Sequence, residues 1–184
     1  KFIGSPGPQE IARGTPHGLD GQTENGEFYL YHSNNAGRVF KTHSSGETVW
    51  SFAAPPALPV YEPTAGGGLQ EWLLDFLYQR FSHNLTQVPM AYMPCNVAFH
   101  PDEAAFYMAD CYGSSYIHKY STRDGSYQTL SFGGAGNQPG QFNTPHGLIF
   151  DARNGHLLVA DRGNSRLQYI DFEGNPIATI EARE

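Results

Sequence analysis

Four side chains in this sequence have the types and spacing to do chemistry together. His17 and His146 each stand in a Pro-His-Gly-Leu run, Pro16-His17-Gly18-Leu19 and Pro145-His146-Gly147-Leu148, while Tyr112 follows Ala109-Asp110-Cys111 and Arg162 follows Ala160-Asp161. Two neutral imidazoles from one repeat position suit zinc, which binds nitrogen at about 2.0 to 2.1 Å. Two ligands do not complete a site, and the other reading of Pro-His-Gly-Leu is a strand start whose His bonds to backbone. Tyr112 sets a large phenol in an otherwise polar loop, and its plainer reading is a packed aromatic. A guanidinium at Arg162 beside a metal is costly unless an anion or a phenolate stands near it.

Bringing these positions together needs a repeated hairpin. In the stretch from Phe142 to Ile170, Leu148 to Phe150 form a strand, Asn154-Gly155 reads as a two-residue turn with positive φ, and Leu157 to Ala160 return antiparallel. A polar loop, Asp161 to Ser165, precedes a third strand at Leu167 to Ile170. Met93 to Tyr120 repeats the pattern, with strands at Val97 to Phe99 and Phe106 to Ala109 and with Asp110 in the place of Asp161. Thr15 to Lys41 repeats it more loosely. There the turn is Asn25-Gly26, strands fall at Phe28 to Tyr31 and Arg38 to Phe40, Asp20 and Gly21 interrupt the first strand, and His32 stands where the other repeats have Asp. Outer strands are expected at Thr48 to Phe52, Tyr127 to Phe132 and Pro176 to Ile180.

The fold class is therefore all-β, a β-propeller with three four-stranded blades at about 15–54, 93–132 and 144–182. A residue just before the first strand of a hairpin lies beside one just after the second, which pairs His146 with Gly163, Cys95 with Tyr112 and His17 with Asn34. One rim of the propeller then collects His17, Tyr112, His146 and Arg162.

Pro16 and Pro94 are 78 residues apart whereas Pro94 and Pro145 are 51 apart, so an insertion at about 55–92 separates the first two blades. Leu69, Trp72, Leu73, Phe76, Leu77 and Phe81 recur at helical spacing and predict a helix near 69–81, packed on the propeller or lying over the rim as a lid. Lys1 to Gly4 resemble the outermost strand of a preceding blade, and a chain opening on Lys reads as processed, trimmed or cut from something longer. Closed propellers need at least about four blades. Either further blades lie outside this sequence, or two copies form a homodimer with a six-bladed ring.

Composition narrows the partners. The net charge is −7 and the 11 Lys and Arg residues are scattered, which argues against nucleic acid. No apolar run approaches the roughly 20 residues that cross a bilayer as a helix. A small molecule or peptide remains as the substrate class. Cys95 and Cys111 are near-opposite on neighbouring strands, and a bridge is favoured over free thiols, which implies an oxidising, secreted or extracytoplasmic setting. Asn84-Leu85-Thr86 is a glycosylation triplet of a kind that chance often produces. His32, His43, His83, His100, His118 and His156 show no shared pattern and read as surface or turn residues.

These repeats resemble NHL-type propeller repeats. The rim is similar to that of the peptidyl-α-hydroxyglycine α-amidating lyase family, through Pro16-His17-Gly18-Leu19, Asp110-Cys111-Tyr112, Pro145-His146 and Ala160-Asp161-Arg162-Gly163-Asn164-Ser165-Arg166. The resemblance implies a six-bladed ring and a carbon–nitrogen lyase with His17 and His146 as zinc ligands. It further implies Tyr112 as the catalytic phenol, Arg162 as its positive neighbour, and calcium on the backbone carbonyl of Leu19. The implied reaction cleaves a carbinolamide N–C bond to an amide and glyoxylate, or acts on a related small hydroxy compound. The family's third zinc His, from a later blade, has no counterpart here, and its second Arg has no secure one, since Arg13 lies too close to His17. The competing readings are a non-catalytic NHL propeller that binds a protein or peptide, and a gluconolactonase-like hydrolase, which needs carboxylates that this rim lacks.

Overall fold

Short runs of aromatic and β-branched residues, ended by tight turns, build twelve antiparallel strands among the described residues. The computed structural model describes residues 16–34, 37–52, 58–61 and 92–181. The helix expected near 69–81, the strand expected at Lys1 to Gly4, Arg13, His83 and the Asn84 triplet lie outside them. The first blade is β1 (Pro16–Glu24), β2 (Glu27–Asn34), β3 (Arg38–His43) and β4 (Thr48–Phe52). The second is β5 (Pro94–Phe99), β6 (Ala105–Asp110), β7 (Tyr116–Ser121) and β8 (Tyr127–Gly133). The third is β9 (Pro145–Asp151), β10 (His156–Asp161), β11 (Arg166–Ile170) and β12 (Pro176–Glu181). Each sheet runs in sequence order, so each is a meander, and the innermost strands β1, β5 and β9 stand side by side. The architecture is an all-β propeller.

Alternation decides which face each residue covers. In β6, Phe106 and Met108 join Tyr31, Val39, Val97 and Tyr120 in the core between the first and second blades. Tyr107 and Ala109 face the other way, into a core with Ile117, Leu148, Leu157, Val159 and Ile170. All six residues of β6 are buried, whereas in β10 only alternate residues are and β12 is exposed throughout. The middle blade is thus covered on both faces, and the third on one. At the outer end, the Thr122 carbonyl accepts from Lys41 Nζ at 2.9 Å and Trp50 Nε1 at 3.1 Å, tying the first blade to the second. The buried Lys41 also pairs with Glu24 at 2.7 Å.

Four expectations are corrected. β1 continues through Asp20 and Gly21, because the missing side chain of Gly21 leaves room for the Phe28 ring from β2. Asn25 and Gly26 form the positive-φ pair of a two-residue turn, but between Asp151 and His156 the loop is longer and only Gly155 is left-handed. There the Asp151 carboxylate takes the Arg153 backbone N–H at 3.0 Å and its guanidinium at 2.6 and 2.8 Å, which curls the loop so that Gly155 N–H closes on the Asp151 carbonyl. The residue of the first blade that matches Asp110 and Asp161 is Asn34, not His32, since Pro16 pairs with Asn34 as Pro94 pairs with Asp110 and Pro145 with Asp161.

His118 is the fourth correction: it is fully buried in β7. Its Nε2 lies 2.8 Å from the Tyr61 hydroxyl and its Nδ1 2.7 Å from Ser131 Oγ. Burial pushes its pKa down from the ordinary 6.5 to about 3. Between those values the unfolded chain binds a proton that the folded protein refuses, so stability is full above pH 6.5 and falls as pH drops toward 3, by on the order of 3 to 5 kcal/mol. His118→Gln, which places there the residue type found at Gln168, is expected to flatten the pH dependence of the urea midpoint between pH 7 and 4. An unchanged slope would show that other groups dominate acid unfolding.

Candidate functional site

Each inner strand begins with a β-bulge. Register slips between Pro16 and Gly18, between Pro94 and Asn96, and opposite the step from Ala160 to Asp161, so His17, Cys95 and His146 are left without a partner in the ladder. A bulge re-aims the extra side chain, and bulges recur beside functional sites for that reason. The expected pairs His146 with Gly163 and Cys95 with Tyr112 are two residues out, because the hairpin loops are longer than two residues. The convergence they implied is nonetheless present.

The His17 and His146 rings meet edge to face with centroids 5.0 Å apart, and the Tyr112 ring lies 5.4 Å from His17 and 5.6 Å from His146. The Tyr112 hydroxyl is 2.8 Å from His146 Nε2. Arg162 begins a short helical turn, Arg162–Asn164, and its side chain is exposed at the same rim. Partial burial, the neighbouring His17 and the charge of Arg162 together hold the His146 imidazole below its ordinary pKa. A neutral imidazole offers a lone pair, to a phenol or to a metal. Leu19 is two residues further along β1 with its side chain exposed.

The third bulge position carries no imidazole. Cys95 there is joined to Cys111, with Cα atoms 5.8 Å apart, and the bridge ties the start of β5 to the turn that presents Tyr112. Among the described residues no group of three His, Cys, Asp or Glu side chains gathers that could hold a metal ion. Two imidazoles and a phenol suit zinc in kind, therefore, and are short in number. A metal bound through His146 Nε2 would also displace the Tyr112 hydroxyl from that nitrogen. The rim as it stands can relay a proton between a phenol and a neutral imidazole beside a positive charge.

Sequence reasoning passed over what holds the rim. Asp110 and Asp161 are both fully buried at the ends of β6 and β10, and each organises the turn that follows it. Asp161 accepts from Asn143 N–H at 2.7 Å, Asn164 at 2.8 Å, Arg166 at 2.8 Å and Gln168 at 3.1 Å. Asp110 accepts from Met93 N–H, Ser114 N–H and Ser114 Oγ, each at 2.7 Å, and from the Tyr61 hydroxyl at 2.6 Å. The repeated Ala-Asp pair was the available signal for the carboxylates. Nothing in the sequence marked Tyr61.

Known proteins share parts of this arrangement. A family model for the NHL repeat matches residues 142–168. The chain is 35% identical to peptidyl-glycine alpha-amidating monooxygenase A of Xenopus laevis over 94 residues, which is 50% of this chain and 10% of that protein. It is 36% identical to peptidylglycine alpha-amidating monooxygenase of Rattus norvegicus over 78 residues, 41% of this chain and 8% of that protein. The matched stretch thus spans about a tenth of the curated relatives. Virginiamycin B lyase from Staphylococcus aureus superposes with a TM-score of 0.56 at 11% identity, covering 96% of this chain and 44% of that one. A streptogramin B lyase structure does so with a TM-score of 0.54 at 11% identity, covering 92% and 41%. At that identity the likeness shows the propeller fold alone.

Gly18 fixes how closely the first blade approaches the rim. A Cβ there would overlap the Cys95 carbonyl and crowd Ser33 Oγ, which accepts the Gly18 N–H at 3.1 Å. Gly18→Ala is expected to lower stability by about 2 to 4 kcal/mol or to shift β1 away from β5. Urea unfolding checks the first outcome, and loss of magnetisation transfer between the His17 and His146 rings checks the second. A variant that keeps both wild-type values would contradict the close approach.

Proposed function

We propose that this rim works as an amidating-lyase-like site, cleaving the N–C bond of a carbinolamide to release an amide and an aldehyde acid, with peptidyl-α-hydroxyglycine or a related small hydroxy compound as substrate. The observation that carries the reading is the Tyr112 hydroxyl set on His146 Nε2 with the His17 ring against both. The partial identity to amidating monooxygenases supports it.

His17 and His146 would hold zinc, with a further donor from another blade, and calcium at the Leu19 carbonyl belongs to the same reading. Bound zinc would polarise the substrate hydroxyl and lower its pKa. The chain's own residues handle the proton. Tyr112, as phenolate, accepts the hydroxyl proton; the carbonyl forms as the C–N bond breaks, and the nitrogen leaves with a proton as the amide. No redox change occurs. Arg162, exposed at the same rim, would be the positive neighbour of this site. The ring is completed either by further blades or by a second copy, and the disulfide favours an extracytoplasmic setting.

Tyr112→Phe is expected to cut glyoxylate release from a peptidyl-α-hydroxyglycine by about 100-fold or more while bound zinc per chain is unchanged. Undiminished release removes Tyr112 from the mechanism. Purified protein with near-stoichiometric zinc that falls in His17→Ala and His146→Ala supports the metal assignment. Protein without zinc instead supports a propeller that only binds a peptide or protein.

A further inference from the structure

The second and third blades solve one electrostatic problem in two ways. In both, a fully buried aspartate ends the second strand and holds the turn behind it. Ser165 and Ser115, at φ 53 and 62, mark equivalent points after those turns. Arg166 therefore corresponds to Tyr116, and Gln168 to His118. In the third blade the Arg166 guanidinium neutralises Asp161 from within the same blade. At that position the second blade has Tyr116, and among the described residues Asp110 has hydroxyl and backbone donors and no cation. A buried carboxylate with no positive partner needs every donor it can gather.

Among the described residues, the donor from outside the blade is Tyr61. It ends a short helical turn, Pro59–Tyr61, in the stretch between the first and second blades. Its hydroxyl lies 2.6 Å from Asp110 Oδ2, 2.6 Å from Ser114 Oγ and 2.8 Å from His118 Nε2. The phenol has one proton and the carboxylate is its strongest acceptor, so Tyr61 donates to Asp110 and accepts from His118 Nε2–H. His118 Nδ1 then accepts from Ser131. The same carboxylate holds both ends of the segment that matters at the rim, with Met93 just before the Cys95 bulge on one oxygen and Ser114, two residues after Tyr112, on the other.

We propose that Tyr61 is a positioning residue for Tyr112: from the turn Pro59–Tyr61 its phenol caps the Asp110 carboxylate as Arg166 caps Asp161 in the third blade, and so locks the turn that presents Tyr112 to His146. The placement of the rim phenol then depends on the Tyr61 hydroxyl staying on Asp110. The role assigned to Tyr112 in turnover rests on the lyase reading above; the positional coupling does not.

The test is Tyr61→Phe in the full chain, with Tyr169→Phe as the matched control. Tyr169 gives its hydroxyl to Asp151 at 2.8 Å in the third blade, away from the rim turn. The first readout is magnetisation transfer between the Tyr112 and His146 rings in labelled protein, which needs no activity. Tyr61→Phe is expected to reduce that signal at least threefold, and Tyr169→Phe to leave it intact. Where lyase turnover is measurable, Tyr61→Phe is also expected to lower kcat about tenfold with KM within twofold. If Tyr61→Phe does not fold, the double variant Tyr61→Phe with Tyr116→Arg supplies the third blade's cation and is expected to restore both fold and signal. A wild-type ring signal in Tyr61→Phe overturns the proposal, as does a double variant that folds without the signal. Absence of turnover in the wild type would refute the lyase reading while leaving the ring signal to decide the coupling.

Discussion

A carboxylate buried at the end of a blade's second strand governs what the blade shows at its rim. Asp161 and Asp110 each reach back to the chain before the first strand and forward into the turn after the second. Those two segments carry the rim side chains. Without the carboxylate, backbone N–H groups in a buried turn would lack acceptors, at a cost of about 1 to 3 kcal/mol each. In the first blade Asn34 stands at this place and accepts the Arg38 N–H at 3.1 Å, a neutral amide making a local version of the same link.

The bulges turn this anchoring into a site. An unbulged strand would alternate its residues between the two faces of the blade and send His17 and His146 toward a neighbouring sheet. One extra residue in each inner strand breaks the alternation at the point where the strand enters the sheet. Two imidazoles and a phenol then meet with ring centres 5.0 to 5.6 Å apart, although they come from three blades. Close approach of the blades is what lets them meet. Gly18 against the Cys95 carbonyl and β6 buried on both faces are its two clearest signs.

Much of the fold was legible because propeller strands are local. Alternation over a few residues and glycine-containing turns marked the outer strands, and Thr48 to Phe52 is a strand from end to end as its residues suggest. Turn length was read less well. Asn154-Gly155 looks like a two-residue turn, but the Asp151 carboxylate and Arg153 side chain curl the loop into a longer one, which moved the inferred pairing by two residues. The same slip made His32, instead of Asn34, appear to replace an aspartate. His118 was misread for another reason: a lone histidine among tyrosines carries no sign that its two nitrogens will find Tyr61 and Ser131.

By itself the sequence determined the three meanders, the repeat that places His17 and His146 at equivalent positions, and the neighbourhood of Tyr112 and Arg162. These follow from strand period, turn chemistry and repetition, all of which act over a few residues. Only the tertiary structure decided that Cys95 occupies the third bulge position, that Tyr61 serves a carboxylate in another part of the chain, and that Tyr112 rests on His146. Each of those depends on how neighbouring sheets stack, and a buried charge takes its donor from whatever packing brings within reach, however distant in the chain.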